Sequence, residues 1–401
     1  MKITATAISM IFLAGCTVGP DYVRPKVETP ASYKENGAQT GWQPAAPRDT
    51  EARGKWWAAF GDAQLDGLMA QVDLSNQGIA AAEAQVRVAA ALAEQSRASW
   101  WPTLNGSVTR TESKPSSTTG PIVGAVTNKR IIDSMPLNAS WEADLWGRIR
   151  RLVEAGDAGT KASASDLMNA RLSAQATLAQ NYFQLRALDS QKQLLEETTA
   201  AYAKTLELTK NRYTVGVASR ADIVQAESQL ASTRSQALDL GVQRAQLEHA
   251  IAVLLGRPAS GFSLAPGTLA AAPPAVPATG LPADLLERRP DIAAAERRVE
   301  AANAQIGVAK AAFFPTATLG ATYGYQTATP SLWFNHPSLF WSVGPALART
   351  LFDGGRRAAV SDQAVASYDQ TVANYRGTVL QAFAEVEDNL AALRILESEA
   401  E

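Results

Sequence analysis

The sequence has little of the chemistry that disulfides, soft metals or nucleophilic catalysis require. Its 401 residues include one cysteine, Cys16, and two histidines, His249 and His336. One cysteine cannot form an intrachain disulfide, and so few thiols and imidazoles leave little material for a Cys-His nucleophile or a soft-metal site. We therefore expect neither a soft-metal site nor catalysis by a Cys-His pair.

Long apolar runs and a strong net charge are also missing. After Cys16 no stretch of about 18 uncharged apolar residues occurs, which excludes a membrane-spanning helix. A formal net charge of -2 gives no reason to expect nucleic acid as a partner. Many of the apolar residues, which make up 46% of the chain, are alanines. Alanine favours helix and permits close packing, so the composition predicts long, closely packed helices.

The N-terminus has the pattern of a secreted precursor. Lys2 precedes a short apolar stretch at 8–14, and the letters LAGC place small residues directly before Cys16. The pattern predicts a signal peptide over 1–15 and resembles the bacterial lipobox, in which the new N-terminal cysteine is acylated. A signal peptide with an incidental cysteine is the alternative. Thr17 stands where, by the same resemblance, an aspartate would retain a lipoprotein in the inner membrane, so we expect the outer membrane.

The chain contains an internal repeat. Residues 79–103, IAAAEAQVRVAAALAEQSRASWWPT, align without a gap to residues 292–316, IAAAERRVEAANAQIGVAKAAFFPT. The aromatic pair and the proline that end each segment are in register. An Ala-rich helix followed by an abrupt aromatic-Pro break therefore occurs twice, which makes the break an architectural feature.

After each break the apolar period changes from helical to two, the period of a strand with two different faces. The pattern predicts strands at about 103–110 and 134–144, and again at about 317–326 and 339–348. Each is about ten residues long, the length of a tilted strand that crosses a bilayer. On their polar side we expect three residues to line a duct: Asn105, Asn138 and Glu142. For Glu142, solvation at the strand end is the alternative.

Four strands cannot close a barrel. An open sheet edge in lipid leaves backbone groups unpaired, at a cost of several kcal/mol each. Several copies must therefore share one barrel. A soluble pair of hairpins packed on the helices is the alternative, but the sequence supplies no obvious cover for the outward faces. The predicted fold class is α plus membrane β, with two repeats of long helices and a β-hairpin.

The helices between the strands are unusually long. No proline occurs between Trp146 and Arg212, so one helix of about 100 Å is predicted there. The stretch 213–222 interrupts it as the tip of a hairpin. Gly216 makes the turn, Ser219 is the expected N-cap, and Asp222 lies in the first turn of the next helix.

These features predict a linear organisation: a signal peptide (1–15), a lipid-anchored N-terminal segment (16–62), a first repeat (63–255), an equatorial linker rich in proline and glycine (256–283) and a second repeat (284–401). The return helices match as Arg148 to Arg356, which places a second copy of the Gly216 turn beyond Glu401. We therefore expect the last helical hairpin to be missing from this sequence.

Together the motifs resemble the TolC family of outer-membrane efflux factors, in particular its lipoprotein branch that serves multidrug (RND-type) exporters. In order, they are LAGCTVGPDYVRP, WWAAFGDAQLDGL, DLWGRIRR, NRYTVGVASRADIVQAE, ERRPDIAAAE and LFDGGRR. The resemblance implies a homotrimer with a shared 12-stranded barrel in the outer membrane. An α-helical barrel continues from it across the periplasm and ends in a closable tip.

The resemblance also assigns roles to tip residues. It implies that Val215, Gly216 and Val217 form the surface that a periplasmic adaptor grips. Arg220 and Asp222 occupy the place of charged residues that hold neighbouring helices shut, and for Asp222 a first-turn cap is the alternative. In the family much of the gate lies on the hairpin that we expect to be missing, so the resemblance assigns only the half of the gate that Arg220 and Asp222 represent.

The implied function is the exit duct of a tripartite pump. The partners would be a periplasmic adaptor, an inner-membrane RND-type transporter and outer-membrane lipid. Multidrug export, metal-ion export and type I protein secretion remain open, because the pump selects the substrate. A lipid-anchored coiled-coil scaffold would not explain the duplicated strands. An outer-membrane enzyme would need a catalytic constellation, whereas carboxylates such as Glu196 and Glu197 fit a solvated helix face. We therefore expect a protein that is not an enzyme and that holds no cofactor and no metal.

Overall fold

The computed structural model describes residues 17–30, 33–34, 54–114, 116, 129–269 and 288–400. The predicted signal peptide, Cys16 and linker residues 270–283 lie outside this range. The chain forms two compact units. The described parts of the first lie within Met1–Glu28, Arg87–Ala162 and Ala294–Val386, and those of the second within Thr29–Val86, Ser163–Ala293 and Glu387–Glu401.

Helices make up most of the described chain. In order they are α1 (Ala63–Ser75), α2 (Gln77–Ala98), α3 (Arg148–Thr214), α4 (Arg220–Leu254), α5 (Pro290–Ala311) and α6 (Arg356–Ala400). Helix α3 has 67 residues, which corresponds to a length of about 100 Å. Among the described residues, no helix combines the length and apolar character that a membrane span needs.

The first unit contains one antiparallel sheet. Its strands are β1 (Thr103–Gly106), β2 (Thr109–Ser113), β3 (Arg130–Ala143), β4 (Thr316–Thr327) and β5 (Leu339–Ala348). The spatial order is β1-β3-β4-β5, and β2 also pairs with β3. The central pairing of β3 with β4 joins the hairpin of the first repeat to that of the second.

A proline divides the first strand, which the sequence predicts as continuous. β1 and β2 pair with β3 in the same register, so residues 107–108 between them lie opposite the part of β3 that contains Pro136. Proline has no N–H to donate to the ladder. One hydrogen bond survives in the gap, from Ser107 N to the Pro136 carbonyl (3.2 Å). The backbone therefore leaves regular strand geometry for two residues.

The register gives the sheet one polar and one apolar face, because side chains alternate along each strand. Asn105 lies opposite Asn138, which lies opposite Thr322. Leu137, one residue away, lies opposite Tyr323, which in turn lies opposite Trp341. Large apolar side chains on this second face are exposed, including Leu104, Leu137, Leu319, Tyr323, Trp341, Val343 and Leu347.

The core of the second unit forms around α1. Leu65, Met69 and Val72 of α1 are completely buried. They belong to one cluster with Trp57, Leu68, Ile79, Leu178, Ala179, Tyr182, Leu185, Ile251, Leu255 and Leu264. The spacing of the α1 residues places them on one helix face, so burial of that stripe stabilises the unit.

In the first unit small residues allow two helices to pack closely. A Cβ on Gly156 of α3 would lie only 3.0 Å from the Ala93 Cα of α2.

Candidate channel surfaces

The hairpin tip between α3 and α4 presents two exposed valines on a glycine turn. Gly216 has a φ of 79°, a conformation that glycine adopts without steric cost. Its N–H donates to the Tyr213 carbonyl, and Val217 N donates to the Arg212 carbonyl (2.9 Å). Val215 and Val217 are 73% and 77% exposed. The turn thus holds two apolar side chains in solvent at the end of the hairpin.

Asp222 takes part in a capping box at the start of α4. Its Oδ2 accepts hydrogen bonds from Ser219 N (2.7 Å) and Ser219 Oγ (2.9 Å), while Asp222 N donates to Ser219 Oγ (3.2 Å). These hydrogen bonds from Ser219, the backbone one first, lower the pKa of the Asp222 carboxyl. The carboxylate is therefore charged at neutral pH and satisfies the helix terminus within its own chain.

Arg220, two residues before Asp222, differs from it in its contacts. It is exposed, and the described part of the chain offers it no hydrogen bond or ion pair. The two hairpin helices are instead linked near the tip by Lys210 and Glu227, whose Nζ and Oε1 lie 2.9 Å apart. Of the two predicted gate residues, only Asp222 thus has hydrogen-bond partners within the described residues.

The predicted duct residues lie together on the polar face of the sheet. Asn105 and Asn138 are directly opposite each other. Asn138 Oδ1 accepts a hydrogen bond from Thr322 Oγ1 (2.8 Å), and Ser342 continues the same row on β5. This row of amides and hydroxyls crosses the sheet from β1 to β5.

Glu142 lies on the same face but is paired. Its two carboxylate oxygens accept from Arg148 Nε (2.8 Å) and Nη2 (2.7 Å), a bidentate arrangement that neutralises both charges. The nearby Asp144 accepts from the backbone N–H groups of Ile149 and Arg150, and so caps α3. The charges at this strand end therefore hold the strand-to-helix turn together.

Residues 17–24 form a further element, which we call the strap and which no local pattern in the sequence predicted. Val18 N donates to the Trp146 carbonyl (3.0 Å), and Asn303 Nδ2 donates to the Pro20 carbonyl (2.9 Å). Gly19 has a φ of 106°, and a Cβ there would lie 2.5 Å from the Gly307 Cα. The strap therefore crosses α5 at a point where both segments need glycine.

Two ion pairs hold the C-terminal half of the strap. Arg24 donates to both oxygens of Glu296 (2.7 and 2.6 Å), and Arg151, whose side chain is buried, donates to Asp21 (2.7 Å). Tyr22 also donates to Glu296 (3.2 Å). Burial first, and then the Glu296 carboxylate, raise the pKa of Tyr22 well above its ordinary value, so this hydroxyl stays a donor. The letters DYVRP contained these residues, but their partners lie far away in the chain.

Among the described residues, no group of three or more His, Cys, Asp or Glu side chains is arranged to hold a metal ion.

A family model described as outer membrane efflux protein matches residues 68–257 and 281–401.

Individual relatives agree over nearly the whole chain. The toluene efflux pump outer membrane protein TtgF of Pseudomonas putida is 32% identical over 385 residues, which cover 95% of this chain and 80% of TtgF. The cation efflux system protein CusC of Escherichia coli (strain K12) is 31% identical over 385 residues, covering 94% and 80%. The solved structure of the outer-membrane channel OprN has a TM-score of 0.86 and 29% identity, and covers 96% of this chain and 84% of that one.

These similarities confirm the predicted resemblance, the fold class and the role in efflux from the outer membrane. They also support the prediction that the protein is a transport duct and not an enzyme. As the channel of an efflux system, it acts with the other components of a pump. The chain belongs to the outer membrane efflux protein family, the TolC-type channels of the outer membrane that extend into the periplasm.

Proposed function

We propose that this protein is the exit duct of a tripartite efflux pump and works as a homotrimer with one shared 12-stranded barrel. The observation that carries this proposal is a sheet with one apolar and one polar face whose outer strands each have an unpaired edge within the described chain. In lipid such edges must be paired. Three copies would join their edges, turn the exposed apolar face to lipid and the row of Asn105, Asn138 and Thr322 to the duct.

The tip is the proposed docking surface for a periplasmic adaptor. Val215, Gly216 and Val217 combine apolar exposure with a hydrogen-bonded turn at the end of two long helices. A pump of this kind would also require an inner-membrane transporter, for which the RND type is our proposal. Both partners are inferred from the family resemblance of the motif that surrounds the tip.

Drugs or other small molecules are the proposed substrates. TtgF is named for toluene efflux and CusC for cation efflux, and similarity to the two is nearly equal. Few methionines, five in the whole chain, disfavour a duct for soft metals. Metal-ion export and type I protein secretion are the alternatives that substrate assays would distinguish.

Acylation of Cys16 is the proposed anchor. The neighbouring residue Thr17 lies beside Gly147, close enough that a Cβ on this glycine would be 2.8 Å from Thr17 Cγ2. Gly147 immediately precedes α3, where the chain leaves the sheet. Acyl chains one residue before Thr17 would therefore start near the end of the apolar sheet face, at the height where lipid is expected.

Channel recording tests the proposed duct directly. We expect the purified full-length protein to form trimers in detergent by native mass measurement, and to produce discrete conductance steps in planar bilayers. The need for several copies follows from the unpaired edges, since one copy cannot close a barrel. A stable monomer with an intact sheet, or trimers that never conduct, would contradict the proposal.

The proposed gate can be separated from the helix cap. Asp222→Ala should increase open probability several-fold if the carboxylate also holds a neighbouring helix, with a larger effect when Arg220 is changed to Ala as well. Ser219→Ala is the matched control, because it removes the capping box but keeps the carboxylate. Open probability in planar bilayers and helix content by circular dichroism are the readouts. Equal open probability of all variants, with helix content lowered by Asp222→Ala, would make Asp222 only a cap.

A further inference from the structure

The internal repeat provides a template for the seam between two copies. Within one chain β3 of the first repeat pairs with β4 of the second. If copies join in a ring, β5 of one copy must meet the first strand of the next copy, which β1 and β2 form together. In the internal repeat β5 is the equivalent of β3, and β1 with β2 is the equivalent of β4. This inference rests on the proposed trimer and goes further, because it specifies which residues meet.

The sheet itself establishes which residues are equivalent. Thr103 begins β1 and Thr316 occupies the same position in the second repeat. Thr103 pairs with Ser140, and Thr316 pairs with Ala348, so Ser140 corresponds to Ala348. The start of the return helices gives the same correspondence independently, since α3 begins at Arg148 and α6 at Arg356.

Transferring the pairs of β3 and β4 then gives the seam. Ala143 pairs with Ala317, and their equivalents are Leu351 and Leu104. Ala139 pairs with Ala321, and their equivalents are Leu347 and Val108. All four seam residues are apolar and exposed, at 89%, 64%, 70% and 65% respectively. We propose that β5 of one copy pairs antiparallel with β1 and β2 of the next, with Leu351 opposite Leu104 and Leu347 opposite Val108.

The different ends of the two equivalent strands support this seam. β3 continues past Ser140 to Ala143, where β4 is its pairing partner. β5 stops at Ala348, the equivalent of Ser140, and no strand in the described chain covers its other edge. A strand persists where its hydrogen bonds find partners. Residues 349–351 should therefore join β5 when the next copy supplies the missing edge.

Side-chain volumes at the junction are complementary in the same arrangement. Within the chain the large Trp146 stacks on Phe314 (centroids 4.8 Å apart), and its Nε1 donates to the Pro315 carbonyl (2.7 Å). The seam equivalents are Gly354 and Trp101. A Cβ on Gly354 would have no neighbour within 4 Å, and Trp101 is 74% exposed. Trp101 of the next copy would fill the space that Gly354 leaves.

Cysteine crosslinking tests this register. Directly opposite residues in an antiparallel pair have Cα atoms about 4.5–5.5 Å apart, within disulfide range. In full-length protein in the membrane, Leu351→Cys with Leu104→Cys, and Leu347→Cys with Val108→Cys, should convert the monomer band into a covalent trimer on oxidation. The crossed combinations, Leu347→Cys with Leu104→Cys and Leu351→Cys with Val108→Cys, are matched controls. Their partners would be displaced by about 13 Å along the strand and should not crosslink.

Native mass in detergent separates the seam from the trimer. Trimers by mass in which only the crossed pairs link, or in which no pair links, would overturn the proposed register while leaving the trimer intact. Absence of trimers by mass would overturn both. Covalent trimers from both matched pairs and from neither crossed pair would establish the seam.

Discussion

Val217→Glu should abolish export without opening the channel. Val217 is 77% exposed on a turn whose backbone hydrogen bonds do not involve its side chain, so the substitution should leave the hairpin folded. In a docked apolar contact, however, the new carboxylate would be buried without a partner, at a cost of several kcal/mol per site. A trimer has three equivalent tips, so this cost would arise at each of three docking sites.

The measurement is made in the source bacterium with its chromosomal copy replaced. Susceptibility to exported compounds should rise to the level of a deletion strain, while single-channel conductance of the purified variant stays unchanged. Val217→Ile keeps an apolar side chain of similar size and should retain export. Normal export by Val217→Glu would show that Val217 does not take part in docking.

Cys16→Ser should produce a protein without a lipid anchor. The expected result is an unprocessed precursor without acyl chains, because modification of the thiol precedes cleavage in the lipoprotein route that the LAGC motif resembles. Each buried methylene contributes about 0.8 kcal/mol to membrane attachment, so the loss of several chains is large. Mass spectrometry of the N-terminus and fractionation of the membranes measure it.

The strap supplies the control for this experiment. Gly19→Val keeps the thiol but places a β-branched side chain at a φ of 106° and against the Gly307 Cα, so it should release the strap and expose it to protease. Its N-terminus should still be acylated. An unmodified Cys16 on correctly cleaved wild-type protein would refute the lipoprotein interpretation, and the proposed barrel would remain.

Much of this molecule was predictable from local patterns. Proline-free sequence before Arg212 predicted a helix that the structure extends over Arg148–Thr214, because helix depends on neighbours within one or two turns. Gly216 and Ser219 indicated a turn and a cap for the same reason. The sheet was less predictable in detail: the break between β1 and β2 arises from Pro136 on a different strand, which the pattern of 103–110 does not contain.

Some features of the candidate site were likewise predictable from local sequence, and others depended on tertiary structure. Exposure of Val215 and Val217 follows from two valines that flank a turn glycine. The bidentate pair of Glu142 with Arg148 depends on the geometry of a strand-to-helix turn, and periodicity could only place Glu142 on the polar side. The strap was missed because its carboxylate partner Glu296 lies 272 positions after Arg24.

The sequence by itself determined the elements: a duplicated helix and hairpin, strands with an apolar and a polar side, a long helix and a glycine tip, all encoded by periods and turn residues over short stretches. Only the tertiary structure decided how they meet. The register of β3 on β4, the crossing of Gly19 over Gly307 and the pairing of Arg24 with Glu296 join residues far apart in the chain. Such contacts depend on shape and charge in three dimensions, which a one-dimensional pattern does not contain.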